Sequence, residues 1–90
     1  MSQLLYFTAP WCGPCKLLKP QLNKLNVPFR TINIDNDMQI ANQYNVRNIP
    51  CFIKINAQGQ EVSRLVGNNV TLSNIERLWC IGIVQQHIKS

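Results

Sequence analysis

The chain has 90 residues, of which 46% are hydrophobic and 14% charged, a composition that favours one globular domain over residues 1–90 and excludes a disordered chain. Nine lysines and arginines outnumber four acidic residues and give a net charge of +5. Because the basic residues are scattered without a run, they indicate a solvated cationic surface and argue against a nucleic-acid site, although attraction to acidic partners stays open.

The first predicted elements are a strand, a helix and a second strand. Residues 4–8 form a short apolar run, typical of a strand that is buried on both faces. From about residue 13 to 26 the apolar side chains recur at helical spacing, and Pro20 should kink this helix because it removes a backbone hydrogen bond. Residues 29–34 alternate and are rich in β-branched side chains, which predicts the second strand.

A short helix and a β-hairpin follow. Residues 35–37 offer candidate N-caps for a helix that extends through Tyr44. Residues 51–55 and 61–66 are predicted to be the two strands of a hairpin around the turn at 56–59.

The last predicted element is a helix that begins near Thr71 or Ser73, where Ser73 and Glu76 have the spacing of a capping box. Its apolar stripe extends to Ile83. The complete order is β-α-β-α-β-β-α, which predicts an α/β fold: a four-stranded mixed sheet flanked by three helices.

Two cysteines at the start of the first helix carry the most chemical information. Cys12 and Cys15 are separated by Gly13 and Pro14, the spacing of a dithiol redox centre. Unpaired backbone N–H groups and the positive end of the helix dipole favour a thiolate at the first turn, and the thiolate is the attacking species in disulfide exchange. Cys15 lies one turn further along the same face, close enough to close a short disulfide ring.

The remaining cysteines, Cys51 and Cys80, are far apart in the chain. A structural zinc site usually needs two close cysteine pairs, and only one is present, so no metal and no cofactor are predicted. The apolar runs are too short to span a bilayer and no leader-like segment precedes the first strand, so we expect a cytoplasmic monomer without a membrane partner.

Several separated motifs resemble those of the thioredoxin family, and they occur in the order found there. Residues 11–16 (WCGPCK) are similar to the active-site motif of the family, and Pro20 matches its helix-kinking proline. Residues 33–35 resemble the end of its central strand, residues 47–50 the loop with its cis-proline, and Gly67 a glycine of its substrate groove.

This resemblance implies a thioredoxin-like fold and a protein disulfide oxidoreductase. Catalytic Cys12 would attack a client disulfide, and Cys15 would resolve the mixed disulfide. The implied partners are client proteins with disulfides and, as electron donor, a flavin-dependent thioredoxin reductase or glutathione. The resemblance assigns the motif and the substrate groove to Trp11, Gly13, Pro14, Ile49, Pro50 and Gly67.

The chain departs from the family pattern in two places. It begins at what would be the second strand of longer thioredoxins, so it resembles a minimal version of the fold that lacks their N-terminal strand and helix. Tyr6 stands where the family has a buried aspartate that helps to deprotonate the second cysteine, and Thr31 is expected to face it. Water or the Tyr6 hydroxyl would then have to take the proton, and a phenol of pKa ~10 is a poor base at neutral pH.

Four alternatives stay open. Cys51, next to Pro50, is either a third redox thiol within reach of Cys12 or a small residue that fills the core. The chain could be a glutaredoxin-like enzyme that uses glutathione, or a non-catalytic subunit of a larger assembly. A cluster carrier that bridges two chains through Cys12 is a further alternative, recognisable by its brown colour.

Overall fold

A computed structural model of the chain describes the backbone of residues 2–89 and the side-chain surroundings of residues 2–80. Within that range a four-stranded mixed sheet and three α-helices occur in the predicted order. Gly67–Asn69 form a short 3₁₀ turn before the last helix. The elements are β1 (Gln3–Thr8), α1 (Gly13–Leu22), β2 (Arg30–Asn33), α2 (Met38–Gln43), β3 (Cys51–Ile55), β4 (Glu61–Val66) and α3 (Leu72–Lys89).

The sheet has the strand order β2-β1-β3-β4, with β1 and β3 in the centre. β1 pairs parallel with β2 across the α1 crossover, and β3 pairs antiparallel with both β1 and β4. Tyr6 lies opposite Thr31 in the β1–β2 register, so the expectation that these two residues face each other is confirmed. The carboxyl end of β1 leads directly into the turn that carries Cys12.

Alternate residues of the central strands supply two separate apolar clusters, one on each face of the sheet. Leu4, Tyr6 and Phe52 pack against residues of α1 and α3. Their neighbours along the strands, such as Leu5 and Ile53, pack on the opposite face, against α2. Burial on both faces explains why residues 4–7 of β1 and 51–53 of β3 are continuous apolar runs. Lys54 of β3 is the exception: it is buried, and its ammonium group donates to the Trp79 carbonyl.

The first helix ends at Leu22, four residues before the predicted end. The Lys24 N–H donates to the Gln21 carbonyl and the Leu25 N–H to the Leu22 carbonyl, each at 3.0 Å. These tight turns send the chain back toward β2. Leu25 still packs against the apolar cluster, and its contact is the reason why the helical spacing of apolar residues continues beyond the helix itself.

The helix starts are close to those predicted, but the capping differs. Asp37 is the N-cap of α2, and in the described chain its side chain makes no capping hydrogen bond. At α3 the Thr71 hydroxyl accepts from the Asn74 N–H at 3.2 Å. Ser73 is already inside this helix, so the predicted capping box was wrong. The apolar stripe of this helix was predicted to extend to Ile83, whose side chain lies outside the described residues. No helix in residues 2–89 combines the length and the apolar character that crossing a membrane requires.

Candidate active site

Cys12 and Cys15 are joined by a disulfide at the N-terminus of α1, with their Cα atoms 5.3 Å apart. Cys12 is the N-cap of this helix and has an extended backbone (φ −80°, ψ 110°). Its Sγ accepts a hydrogen bond from the Cys15 N–H at 3.2 Å. A sulfur that receives a backbone N–H at the positive end of a helix dipole is stabilised as a thiolate once the disulfide is reduced.

The two sulfur-bearing residues are buried in a small apolar cluster, while the turn around them is exposed. Cys12 and Cys15 are only 3% and 4% exposed, and they pack with Ala9, Ile34 and Ile49. Gly13 and Pro14 are exposed, and a Cβ placed on Gly13 would meet no atom within 4 Å. A partner segment can therefore approach the dithiol only from the open side of the turn.

Trp11 projects from this turn with 64% of its surface exposed. Its indole N–H donates to both carboxylate oxygens of Asp35, at 3.1 and 3.3 Å. Asp35 follows β2, and its own N–H donates to the Asn33 side chain at 2.9 Å. The carboxylate thus holds the indole beside Cys12. This role of Asp35 was not predicted from the sequence. The available signal was an acidic residue just beyond β2, the strand that pairs parallel with β1.

The Ile49–Pro50 segment lies on the other side of the dithiol. The peptide bond between these residues is cis, and Ile49 packs against the cysteine cluster. The Gly67 N–H donates to the Pro50 carbonyl at 2.9 Å, and Gly67 has a φ of +59°, a conformation that L side chains rarely adopt. In the described chain no backbone hydrogen bond engages the N–H or C=O of Ile49. Both groups therefore remain available to an extended partner segment.

A cavity of about 520 Å³ lies behind the dithiol, between α1 and the edge strand β2, and Cys15 forms part of its wall. Apolar and polar residues share the lining, which was not anticipated from the sequence. The lining residues are Tyr6, Thr8, Ala9, Pro10, Cys15, Lys16, Lys19, Leu22, Asn23, Phe29, Thr31 and Asn33.

Tyr6 forms part of the cavity wall but is otherwise enclosed by aromatic rings. Its ring stacks on Phe52 at 4.7 Å between centroids and meets Phe29 edge-on at 6.0 Å. Burial raises the pKa of the Tyr6 phenol, although a hydrogen bond with the Thr8 side chain acts in the opposite direction. The phenol therefore stays protonated at neutral pH and is available as a donor but not as a base.

The other two cysteines are free thiols in very different places. Cys51 is fully buried in the apolar cluster on the α2 face, apart from the cluster that contains Cys12 and Cys15. Burial raises the pKa of its thiol from 9.0 to about 11, against a smaller lowering by the Arg64 charge. Cys80 is exposed. A metal-binding group of three or more His, Cys, Asp or Glu residues is absent from the part of the chain described.

Comparison with known proteins gives consistent matches. The family model described as thioredoxin matches residues 1–78. A thioredoxin H-type protein of Fagopyrum esculentum is 39% identical over 66 residues, which cover 68% of this chain and 56% of that protein. The SPbeta prophage-derived thioredoxin-like protein YosR of Bacillus subtilis is 32% identical over 65 residues, covering 72% and 81%.

Solved structures agree with the sequence matches. The structure of thioredoxin NaTrxh from Nicotiana alata superimposes with a TM-score of 0.75 at 32% identity, covering 86% of this chain and 69% of that one. A similar segment also occurs inside longer proteins: the match to the TPR repeat-containing thioredoxin TDX of Oryza sativa subsp. japonica covers 22% of that protein. The chain spans about half the length of the Fagopyrum relative.

Proposed function

The chain belongs to the thioredoxin family and has its fold, and from this premise we propose that it is a thiol-disulfide oxidoreductase that reduces disulfide bonds in client proteins. The observation that carries the proposal is the Cys12–Cys15 disulfide at the first turn of α1. Two electrons and two protons convert this disulfide to a dithiol, and the dithiol passes them to a client.

The first step is nucleophilic attack by Cys12. Its thiolate attacks one sulfur of the client disulfide, a Cys12–client disulfide forms, and the second client sulfur leaves as a thiolate. The backbone N–H of Cys15 and the helix dipole support Cys12 in this role because both stabilise its negative charge.

The second step is resolution by Cys15. Its thiolate attacks the Cys12 sulfur, the mixed disulfide breaks, and the reduced client leaves as the Cys12–Cys15 disulfide forms. The two residues already occupy that bonded geometry, with Cα atoms 5.3 Å apart. A donor of two electrons must then restore the dithiol, and the family suggests a flavin-dependent reductase, with glutathione as the alternative.

The client segment would lie across the exposed side of the dithiol. Trp11 offers an apolar ring held in place by Asp35. Ile49 offers an N–H and a C=O that no backbone group among the described residues engages, and it packs beside the cysteines, which suits short β-type pairing with an extended segment. Gly67, whose N–H donates to the Pro50 carbonyl, has no side chain, and a Cβ built there would meet no atom within 4 Å, so this edge of the groove is open. These contacts make the proposed groove selective for extended, exposed disulfide-bearing segments.

Trapping the mixed disulfide tests this sequence of steps. A Cys15→Ser variant, reduced and mixed with a disulfide-bonded protein, should accumulate a covalent complex through Cys12 that mass spectrometry identifies and dithiothreitol dissolves. The matched Cys12→Ser variant should form none. A complex through Cys51 or Cys80 in place of Cys12, or no complex with several such proteins, would contradict the proposal.

The second candidate is a non-catalytic unit within a larger assembly. The match to part of a longer protein, the TPR repeat-containing thioredoxin TDX, supports a unit of a larger protein, and the absence of catalysis is the part that the experiment decides. The trapping experiment separates the two because an idle dithiol gives no complex. A turnover assay of client reduction, run with glutathione as the reductant and compared with dithiothreitol, tests the glutaredoxin-like alternative. We also propose that residues 1–90 form one domain, because a single sheet joins the described elements. The cytoplasmic location and the monomeric state stay predictions.

A further inference from the structure

The cavity behind Cys15 bears on a step that the two-step exchange leaves open. If the proposed function holds, the Cys15 thiol must lose its proton before it attacks Cys12, since the thiolate is the nucleophile. Only 4% of the surface of Cys15 is exposed. The cavity that Cys15 helps to line opens to solvent between α1 and β2. This cavity is therefore the route by which a proton acceptor from solution reaches Cys15.

We propose that the cavity is a binding site for a small oxyanionic base, such as hydrogenphosphate or a carboxylate, which takes the Cys15 proton in the resolving step. Its volume of about 520 Å³ is within the range of ligand sites and well above that of one such ion.

The charged and polar groups around the cavity suit an anion. Lys16 and Lys19 of α1 contribute two positive charges at its rim, and no carboxylate or imidazole is among its described lining residues. Thr31 and Asn33 of β2 add a hydroxyl and an amide that can donate hydrogen bonds. An anion that enters therefore meets donors and cations but no repelling acid.

No group already in the cavity can replace the external base. The titratable and charged residues that line the cavity together with Cys15 are Tyr6 of β1 and the two lysines of α1, Lys16 and Lys19. Cys12 packs against Cys15 in the adjacent apolar cluster. The buried Tyr6 phenol holds its proton through neutral pH, Cys12 is bonded to the client at this stage, and an ammonium has no free electron pair to accept a proton.

The step balances without a further reactant. The S–H bond of Cys15 breaks and its proton passes to the oxyanion, which leaves as the conjugate acid. The Cys15 thiolate then forms a bond to Cys12 Sγ while the Cys12–client bond breaks, and the client sulfur leaves with the electron pair. The oxyanion changes its protonation only. A neutral base that fits the cavity can take the same proton, but without the attraction of the two lysines.

A two-phase thiol assay observes this step directly. The reduced chain, in a Cys80→Ser background that removes the exposed thiol, is mixed with the aromatic disulfide 5,5′-dithiobis(2-nitrobenzoate). The first coloured thiolate leaves when Cys12 attacks, and the second leaves when Cys15 resolves the adduct. Hydrogenphosphate is varied at constant pH and ionic strength, and the two rates are followed separately.

We expect the second rate to rise with hydrogenphosphate and to level off as the cavity is occupied, with a total increase of about tenfold, less than the 10²–10⁴ of a fixed base because this one must be recruited from solution. A rise that stays linear would indicate a collision with a base in solution and would overturn the proposed site. The first rate should not change. Thr31→Leu narrows the cavity at an exposed position of β2 and should remove most of the acceleration. Lys19→Gln should weaken acceleration by hydrogenphosphate but not by neutral imidazole, and Lys24→Gln, which removes a charge outside the cavity, should change neither.

The outcomes separate this inference from the proposed function. A normal first phase with a second phase indifferent to every added base overturns the inference and leaves the proposed function intact. If the second phase is lost in Tyr6→Phe and in none of the other variants, the Tyr6 phenol is the group that takes the Cys15 proton, and the inference is overturned. An absent first phase means that Cys12 is not the nucleophile, and then the proposed function fails as well.

Discussion

The turn that carries Cys12 and the strand that carries Cys51 place the same side chain in opposite surroundings. In residues 10–14 only Cys12 is buried, and its neighbours are open to solvent. All five residues of β3 are buried: Phe52 packs into the cluster on the α1 and α3 face, and Cys51, Ile53 and Ile55 pack into the cluster on the α2 face. The Lys54 ammonium group donates to the Trp79 carbonyl. Cys12 has a backbone N–H directed at its sulfur and a helix dipole behind it, whereas burial raises the pKa of Cys51 to about 11.

Reactivity and stability are thus divided between two adjacent regions of the molecule. The turn contributes few packing contacts and carries the proposed chemistry, since its groups are aimed at the sulfur or at solvent. β3 contributes the centre of both clusters and leaves its thiol protonated. Substitutions in β3 should therefore lower the free energy of unfolding with little effect on exchange, and substitutions in the turn should do the reverse.

The largest expected effect on stability comes from Phe52→Ala in β3. Phe52 is fully buried and packs on both Tyr6 and Phe29, so its loss should lower the free energy of unfolding by about 3–5 kcal/mol. Urea denaturation measures the change, and the exposed Val62→Ala in β4 is the control, expected near zero. An equal loss in both variants would contradict the central place given to β3.

The next effect is the pH dependence of stability that Cys51 contributes. Its folded pKa of about 11 lies above the 9.0 expected for an unperturbed thiol. Between these values the unfolded chain has released the proton and the folded chain has kept it, so rising pH favours unfolding. The contribution of this thiol to the free energy of unfolding is fully present below pH 9 and is lost as the pH rises through 11. The total loss is about 2–3 kcal/mol.

Cys51→Ala provides the comparison for this pH effect. Urea denaturation between pH 8 and 12 should show a shallower decline in the variant than in the parent chain, each referred to its own value at the lower pH. The raised pKa of Tyr6 contributes in the same direction in both proteins and cancels in the difference. Parallel curves would mean that the Cys51 thiol is not buried as described.

A smaller effect is expected from Gly67→Ala at the edge of the proposed groove. With φ at +59°, alanine should cost about 1–2 kcal/mol although no atom blocks its Cβ. Gly13→Ala in the turn is the matched control, since its Cβ also meets nothing and its φ is not positive. Thermal unfolding should separate the two variants, and equal melting temperatures would remove the strain assigned to Gly67.

The smallest effect on stability is expected at the Trp11–Asp35 hydrogen bond. Asp35→Ala leaves the exposed indole N–H to water and should change the free energy of unfolding by less than about 1 kcal/mol. Client reduction should nevertheless slow, because the ring is no longer held beside Cys12. Asp37→Ala is the control, as the Asp37 side chain makes no capping bond in the described chain. A change in stability without a change in client rate would contradict this division.

Much of the fold was predictable because local patterns and long-range contacts agree. The bounds of β3 and β4 match the prediction residue for residue, since a polar turn separates two strongly β-forming runs. The end of α1 was not predictable from the spacing of apolar residues, because Leu25 keeps its core contact after the helix has ended. The start of α3 was predicted near Thr71 or Ser73, both good N-cap residues, and the helix begins directly after Thr71. The capping box of Ser73 and Glu76 was wrong because Ser73 is already inside the helix.

The site was predictable in its centre and not in its surroundings. Cys12 and Cys15 are three residues apart, so their pairing follows from one turn of helix. The Asp35 partner of Trp11 lies 24 residues away, and the cavity joins residues of α1, β1 and β2. Such contacts depend on the register of the sheet, which a single sequence does not specify.

Turnover with dithiothreitol as reductant and a disulfide-bonded protein as client tests the central claim most directly, measured side by side for Cys12→Ser and Cys51→Ala. Each variant is first checked for the folded state, since the claim concerns chemistry and not stability. The account predicts that Cys12→Ser is no faster than dithiothreitol alone and that Cys51→Ala keeps the rate of the parent chain. A folded Cys12→Ser that still turns over, or a folded Cys51→Ala that does not, would contradict it.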